Sequence, residues 1–246
     1  MMAEHDPLAA TRDPRLVVVQ ECASTNDLAR ERLADSSAES GSAFVALHQT
    51  RGRTLGGDDW VTPGGEALTM SVVVESPPLP VALWPAVAVH DALSLLGVRA
   101  GLKWPNDVLV GRRKIAGILV EQAACWHIIG IGLNIRQRSF PPPLDDTATS
   151  IALETQSGPP GVLETASAVL DALDLARDFD LVSAWSERSN MLGRPIDYRR
   201  GSDGWRRATA VAIGPHGDLV VRYPDGSEAA WHSAHDLDVR PVDNAG

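Results

Sequence analysis

Residues 101–107 read Gly-Leu-Lys-Trp-Pro-Asn-Asp and combine residue types that could bind a metal–phosphate group. They place Lys103, Asn106 and Asp107 at the end of a predicted strand, beside a proline that restricts the backbone. The oxygen atoms of an asparagine and an aspartate suit Mg²⁺, which proteins often hold through one or two carboxylates together with substrate phosphates. An ordinary Asn-Asp turn explains the same residues equally well.

Lys114 marks a second candidate site, because it begins an apolar β run at 114–122 that contains Gly117. A glycine inside a strand often marks the close approach of a ligand. A lysine pointing into such a site could hold a carboxylate and a phosphate together. The alternative is an edge-strand lysine that discourages aggregation.

The loop at residues 48–60 is rich in glycine and carries Arg51, Arg53 and Trp60. Glycines let the backbone approach a ligand closely, and arginines offer forked donors to phosphate or carboxylate. The tryptophan could stack on a flat ring. A mobile surface loop with incidental arginines is the competing interpretation.

Residues 130–134 read Gly-Ile-Gly-Leu-Asn. This is not a dinucleotide fingerprint, because the third glycine and a clear following helix are missing. Asn134 could complete a metal–phosphate shell, but a turn asparagine is an equal alternative.

The elements that must position these residues alternate between strands and helices. Short apolar runs predict strands at 16–20, 44–47, 67–75, 101–110, 114–122 and 125–135. Helical spacing predicts helices after the capping residues 24–26 and at 81–96, 162–179 and 181–190. After residue 193, short strands separated by turn signals predict a small all-β barrel. We therefore predict a loose tail at 1–14, a main domain at 15–190 and a small β domain at 191–246.

Composition excludes several classes of protein. The chain has 246 residues, of which 44% are hydrophobic, as expected for a globular core. Its 22 Lys+Arg against 32 Asp+Glu give a net charge of −10, which argues against broad nucleic-acid binding. No apolar run approaches the ~20 residues that cross a bilayer, and the N-terminus lacks a secretory pattern. With two distant cysteines, these features predict a cytoplasmic protein that binds neither nucleic acid nor membrane.

Taken together, the order of these motifs resembles the biotin protein ligase family. The matching series is Ser-Thr-Asn, Gln-Thr-x-Gly-Arg with a downstream Trp, Lys-Trp-Pro-Asn-Asp, Lys-x-x-Gly-Ile-Leu-x-Glu and Gly-Ile-Gly-x-Asn. The similarity extends over about residues 16–240 and includes the C-terminal β region. The short N-terminus leaves no room for a DNA-binding domain before the first strand, so the resemblance is to the monofunctional class.

The resemblance implies an α/β (α+β) fold. Its main domain would be a mixed, mainly antiparallel sheet with helices on one side, followed by an SH3-like β-barrel. Members make biotinyl-5′-adenylate from biotin and ATP with Mg²⁺, and then transfer biotin to one lysine of a biotin carboxyl carrier domain. Members occur as monomers or homodimers, and no residue here decides between them.

The resemblance also implies residue roles. The biotin site would comprise Ser24, Thr25, Asn26, Gln49, Arg53, Lys114, Gly117 and Ile118. The ATP end would comprise Trp60, Lys103, Asn106 and Asn134, with Mg²⁺ on Asp107 and Asn106. The catalytic residues would be Lys114, Arg53 and Asp107, and Asp107 would help to deprotonate or orient the acceptor lysine.

One departure from the family pattern concerns the arginine-glycine loop. Leu55 stands where a second loop arginine is usual, and Asp58 or Asp59 replaces a later basic position. A leucine cannot donate a hydrogen bond to phosphate, and the aspartates would repel it. Arg51 could offset part of this loss. We therefore expect weaker retention of the adenylate and some indiscriminate labelling of lysines.

Two alternative functions remain open at the level of sequence. A lipoate-type ligase shares the fold and an adenylate mechanism, although the Lys-Trp-Pro-Asn-Asp motif and the Gln-Thr-x-Gly-Arg loop favour biotin. A non-catalytic biotin-binding or sensing protein would have lost turnover through the altered loop. Competition between biotin and lipoate, and a test for adenylate formation, would distinguish these alternatives.

Overall fold

The computed structural model describes residues 13–57, 59–60, 64–232 and 237–242. Residues 1–12 of the predicted tail lie outside the described residues, as does Asp58. None of the helices described is both long and apolar enough to cross a membrane.

A seven-stranded sheet forms the centre of the molecule. Its strands are β1 (Leu16–Cys22), β2 (Ala43–Gln49), β3 (Ala67–Val74), β4 (Gly101–Lys103), β5 (Asp107–Val110), β6 (Arg113–Ala123) and β7 (Trp126–Asn134). Their order in the sheet is β1-β2-β3-β7-β6-β5-β4. Only the β1–β2 pair among them is parallel, and the other neighbours are antiparallel. The predicted mixed, mainly antiparallel sheet is therefore confirmed.

The predicted strand at 101–110 is in fact a hairpin. β4 ends at Lys103 and β5 begins at Asp107, so Trp104, Pro105 and Asn106 form the turn between them. A proline cannot donate to a strand ladder, which explains the interruption. As a consequence, Lys103 and Asp107 become directly paired residues instead of neighbours at a strand end.

Helices cover both faces of this sheet. They are α1 (Thr25–Ala34), α2 (Leu83–Leu95), α3 (Ile151–Glu154), α4 (Val162–Leu175) and α5 (Leu181–Glu187), with a 3-10 turn at Ala176–Asp178. The residues of α2, α4 and α5 share one core with every second residue of the strands. Phe44, Val73 and Ile128 point the other way and pack with Ala29 of α1. The prediction of helices on one side thus holds for α2 and α4, but α1 is an exception, because the apolar side chains on the opposite face also need cover.

The C-terminal region forms a second, five-stranded antiparallel sheet. Its strands are β8 (Pro195–Arg200), β9 (Arg206–Ile213), β10 (Leu219–Arg222), β11 (Glu228–Trp231) and β12 (Leu237–Pro241). The order β11-β10-β9-β8-β12 leaves β11 and β12 at the edges, unpaired with each other in the described part of the chain. The predicted barrel is therefore not closed. The sheet nevertheless curls, since Tyr198 of β8 and Trp231 of β11 bring their rings to 4.9 Å. Both rings are buried at 8% and 3% exposure.

The two sheets share buried apolar contacts. Trp104, in the β4–β5 turn, is 3% exposed and donates from Nε1 to the carbonyl oxygen of Gly217 at 2.9 Å. Its backbone N–H lies 3.1 Å from Sδ of Met191. The division at residue 191 stays a prediction. These contacts indicate that the C-terminal sheet supports the turn that carries Asn106 and Asp107.

We expect Trp104→Phe to lower the free energy of unfolding by about 1–3 kcal/mol, because it leaves the Gly217 carbonyl without its donor. Urea denaturation measures this change. Trp205→Phe is the matched control, since Trp205 is 39% exposed and phenylalanine keeps an aromatic face for Arg199 and Arg240, so the substitution should cost no more than about 0.5 kcal/mol. Equal effects of the two substitutions would show that the Trp104 contact contributes nothing specific.

Candidate active site

A pocket lies over strands β3, β6 and β7, beside the start of α1 and under the loop that follows β2. Ten of the residues predicted for ligand binding line it: Ser24, Thr25, Asn26, Gln49, Arg53, Trp60, Asn106, Lys114, Gly117 and Ile118. Seven further lining residues were not predicted: Thr54, Leu55, Thr69, Leu119, Gly130, Ile131 and Gly132. Strand alternation could have indicated Gly130 and Gly132, because both lie on the face of Gly117, which is the register partner of Gly132.

Bare glycine backbone forms the floor of the pocket. A Cβ on Gly132 would lie 2.4 Å from Cε2 of Trp60, and one on Gly117 would lie 2.9 Å from Cε of Lys114. A Cβ on Gly130 would lie 2.6 Å from Oδ1 of Asn26. The three glycines therefore make room for the side chains that define the site.

The loop after β2 brings Trp60 back onto this floor. The backbone N–H of Trp60 donates to the carbonyl oxygen of Gly52 at 2.9 Å, and Arg53 and Asp59 form a β-bridge inside the loop. The indole Nε1 is buried and has no hydrogen-bond partner among the described residues. It is thus a donor at the pocket wall.

Polar side chains line the end of the pocket at the start of α1. Gln49 Oε1 accepts from the backbone N–H of Thr25 at 2.7 Å and from its hydroxyl at 3.1 Å. Ser71 Oγ lies 2.7 Å from Thr25 Oγ1 and 2.5 Å from Asn26 Oδ1. Ser24 has no side-chain capping bond. This buried network fixes Thr25, Asn26 and Gln49 in single orientations.

Two arginines and two carboxylates form an ion-pair cluster at the rim. Arg53 donates to both oxygens of Asp27 at 2.7 and 2.9 Å and lies 3.4 Å from Glu121. Arg30 bridges Asp27 and Glu121 at 3.0 Å each. Hydrogen bonding to Arg53 lowers the pKa of Asp27 despite partial burial. Glu121 Oε2 also accepts from Asn26 Nδ2 at 2.9 Å, so this cluster orients both Arg53 and Asn26.

A β-bulge turns Lys114 toward the pocket. In the β5–β6 pair, Val108 faces Ala116 but Leu109 faces Lys114, so Ile115 is the extra residue of the bulge and has no register partner in β5. One extra residue moves all later side chains to the opposite face of the sheet. The backbone of Lys114 also pairs with residues 147–149, through Lys114 N to Thr147 O at 2.8 Å and Thr149 N to Lys114 O at 2.9 Å.

The β4–β5 hairpin brings Lys103 to Asp107, and the bulge brings Lys114 there. Lys114 Nζ lies 2.5 Å from Asp107 Oδ1, and Lys103 Nζ lies 2.9 Å from Oδ2. Burial alone would raise the pKa of Asp107, but the charges of Lys103 and Lys114 outweigh burial and lower it. Asp107 is therefore an ionised carboxylate between two ammonium groups, with one net positive charge for the trio.

Of the remaining predicted residues, one lines the pocket and three lie outside its lining. Asn106 lines the pocket and donates from Nδ2 to the carbonyl of Ile118 at 2.8 Å. Lys103 and Asp107 lie behind Lys114, outside the lining. Asn134 is 5% exposed, donates to Thr149 O at 2.9 Å and accepts from Gln137 at 3.1 Å, so its amide supports the 147–149 segment.

The residues do not fit a protein-held magnesium ion. Both oxygens of Asp107 are engaged by ammonium groups, and a net positive trio favours an anion over a dication. No cluster of three or more His, Cys, Asp or Glu side chains suited to a metal occurs in the described ranges. The predicted Mg²⁺ ligation by Asp107 and Asn106 is not supported by this arrangement.

We expect Gly132→Ala to raise the dissociation constant for biotin at least about tenfold, because its Cβ would meet the Trp60 ring that now lies on the bare backbone. Gly158→Ala is the control, since a Cβ there meets nothing within 4 Å. Titration calorimetry with folded proteins measures the change. Equal affinities for both variants would exclude Gly132 as part of the pocket floor.

Comparisons with known proteins agree with this geometry. A model described as the Biotin/lipoate A/B protein ligase family matches residues 18–135. A biotin--[acetyl-CoA-carboxylase] ligase of Mycobacterium tuberculosis is 34% identical over 234 residues, which cover 91% of this chain and 80% of that protein. The Paracoccus denitrificans ligase of the same name is 30% identical over 231 residues, covering 84% and 95%.

Solved structures show the same fold. The biotin protein ligase from Aquifex aeolicus in complex with biotin and ATP superimposes with a TM-score of 0.76 at 25% identity, covering 92% of this chain and 99% of that chain. The Leishmania major enzyme in complex with biotinyl-5-AMP gives a TM-score of 0.60 at 27% identity, covering 90% and 100%. The chain belongs to the biotin protein ligase family.

Proposed function

We propose that this protein activates biotin with ATP and transfers it to a lysine of a biotin carboxyl carrier domain. The observation that carries the proposal is the position of Lys114. Its side chain lines the same pocket as the polar start of α1 and Asn106. The named relatives and the bound ligands of the similar structures support biotin and ATP as substrates. We also propose that the protein is cytoplasmic, as its sequence predicts.

The polar end of the pocket suits the ureido group of biotin. That group has two N–H donors and one carbonyl acceptor, and its partners must already be oriented to bind it tightly. The side chains of Thr25, Asn26 and Gln49 are held by mutual hydrogen bonds, and Ser24 lies beside them. The fused rings of biotin would lie beside the Trp60 ring that covers Gly132, and the carboxylate of biotin would then point toward Lys114.

Adenylation requires two anions to meet. A carboxylate oxygen of biotin attacks the α-phosphorus of ATP, the phosphorus–oxygen bond to the β-phosphate breaks, and pyrophosphate leaves. The positive trio of Lys103, Asp107 and Lys114 favours this approach electrostatically. Lys114 is the group that touches the reacting atoms. Lys103 acts through Asp107 as a positioning residue.

Asp107 is poorly suited to be a general base. Its lowered pKa means that it holds a proton weakly near neutral pH, and a good base has a pKa near the working pH. We therefore assign Asp107 to the positioning of Lys114. Any magnesium would accompany the phosphates of ATP, and none of the steps above passes through a metal held by the protein.

We expect biotin-dependent release of pyrophosphate from ATP in the absence of an acceptor protein, and a loss of at least about 100-fold in Lys114→Ala. Arg206→Ala is the control, since Arg206 is 65% exposed and distant from the pocket. A protein that binds biotin in calorimetry but releases no pyrophosphate would have a sensing role instead. Release driven by lipoate and not by biotin would indicate a lipoate-type ligase.

The departure in the arginine-glycine loop gives a second prediction. Leu55 lines the pocket and is 47% exposed, so it offers no donor to the adenylate, while Arg53 is shared with Asp27 and Glu121. We expect Leu55→Arg to slow dissociation of biotinyl-AMP about three- to tenfold, as one added charge-assisted hydrogen bond allows. Stopped-flow dissociation measures this rate, with Leu55→Met as the control. A wild-type rate equal to or slower than that of Leu55→Arg would refute the prediction.

A further inference from the structure

Glu121, in β6, contacts the start of α1 through its carboxylate. Its Oε2 accepts from Nδ2 of Asn26 at 2.9 Å and from Arg30 at 3.0 Å, and its Oε1 lies 3.4 Å from Arg53. The side chain of Glu121 is 25% exposed and does not line the pocket, but Asn26 does. The chemistry of adenylation described above assigns no part to this carboxylate.

The contact with Glu121 fixes which end of the Asn26 amide faces which neighbour. An ionised carboxylate accepts hydrogen bonds and cannot donate them, so the NH₂ group of Asn26 must face Glu121. The amide oxygen Oδ1 then faces the other way, where Ser71 Oγ lies at 2.5 Å. Asn26 is 3% exposed and Ser71 is 0% exposed, so neither side chain can exchange its partner for bulk water.

The direction of the next hydrogen bonds follows from that of the first. An amide oxygen only accepts, and a hydroxyl carries one hydrogen, so Ser71 must donate to Asn26. Ser71 Oγ then remains an acceptor toward Thr25 Oγ1, which is 2.7 Å away. Thr25 shares its hydroxyl hydrogen between Ser71 Oγ and Gln49 Oε1, at 3.1 Å, as a three-centre bond. The hydrogens of the whole chain therefore point toward Glu121.

This direction determines what the polar end of the pocket offers to a ligand. Oδ1 of Asn26 and Oγ1 of Thr25 each keep a lone pair that the chain does not use, and both residues line the pocket. Oδ1 lies over the glycine floor, since a Cβ on Gly130 would come within 2.6 Å of it. These two acceptors match the two N–H donors of a ureido group. An Asn26 amide turned by 180° would instead place a donor opposite a donor, which is unfavourable in a buried site.

We propose that Glu121 is a positioning residue that sets the hydrogen-bond polarity of the biotin site and so makes the site select a ligand with N–H donors. It acts through Asn26, while Arg30 and Arg53 hold the carboxylate in place. The inference rests on the proposed function, since it takes the ureido group of biotin as the ligand.

The first test is Glu121→Gln, which keeps the shape of the side chain but can donate a hydrogen bond as well as accept one. Because the Asn26 amide is then free to turn, we expect the dissociation constant for biotin to rise at least about tenfold, as measured by titration calorimetry. Glu31→Gln is the matched control, since it makes the same change at an exposed position of α1 and should alter the constant by less than about twofold.

The outcomes for the two proposals differ. A wild-type protein that does not bind biotin would contradict the proposed function. A wild-type protein that binds biotin, together with a folded Glu121→Gln variant that binds it equally well, would overturn only the role of Glu121.

A swapped pair separates the direction of the hydrogen bonds from the charge at the rim. In Asn26→Asp/Glu121→Gln, the introduced amide donates to the introduced carboxylate, whose other oxygen still accepts from Ser71. The direction is thereby restored, although Arg30 and Arg53 still lack the carboxylate of Glu121. We expect this double variant to bind biotin within about threefold of wild type. Binding as weak as that of Glu121→Gln alone would assign the effect to the lost rim charge and would overturn the proposal.

Ser71→Ala covers the case in which Glu121→Gln does not fold. Ser71 is fully buried in β3, and alanine removes its hydroxyl without adding volume, which disconnects Thr25 from Glu121. We expect the dissociation constant for biotin to rise about three- to tenfold. A folded Ser71→Ala protein with the affinity of wild type would also overturn the proposal.

Discussion

The contact of Asp107 with Lys103 and Lys114 is the interaction on which the chemistry of the site depends. A single buried carboxylate would be unstable there, because burial raises the free energy of an isolated charge. Two ammonium groups reverse that penalty and leave one net positive charge beside the pocket. The same contact aims Lys114, lowers the pKa of Asp107 and attracts anions.

Strand register brings these three residues together. The β4–β5 hairpin pairs Lys103 with Asp107, and the bulge at Ile115 turns Lys114 to the same face. The segment 147–149 hydrogen-bonds to the backbone of Lys114, and Asn134 supports that segment. Asn134 therefore has a structural part in the site, although it does not line the pocket.

Much of this arrangement could be predicted from the sequence. The mainly antiparallel sheet was predicted, and ten of the pocket residues follow from motifs whose order resembles one family. The Asp107 trio could not be predicted, because it depends on a one-residue bulge that hydrophobic periodicity does not reveal. Glu121 belongs to one of the matching motifs, but the sequence predicts no role for it, because its partners Arg30 and Asn26 are distant in sequence. The open C-terminal sheet was mispredicted as a barrel, because turn signals give strand number and do not show whether the edges pair.

The central claim is that Lys114 touches the reacting atoms while Lys103 lies behind Asp107. It can be measured directly because the chain has only two lysines. Protein labelled with ¹⁵N at the lysine side chains should give two Nζ signals, from Lys103 and Lys114, which Lys103→Arg assigns. Addition of a non-hydrolysable analogue of biotinyl-AMP should shift the Lys114 signal strongly and the Lys103 signal less, because Lys114 touches the ligand and Lys103 lies behind Asp107. A saturating analogue that leaves the Lys114 signal unchanged would contradict the account.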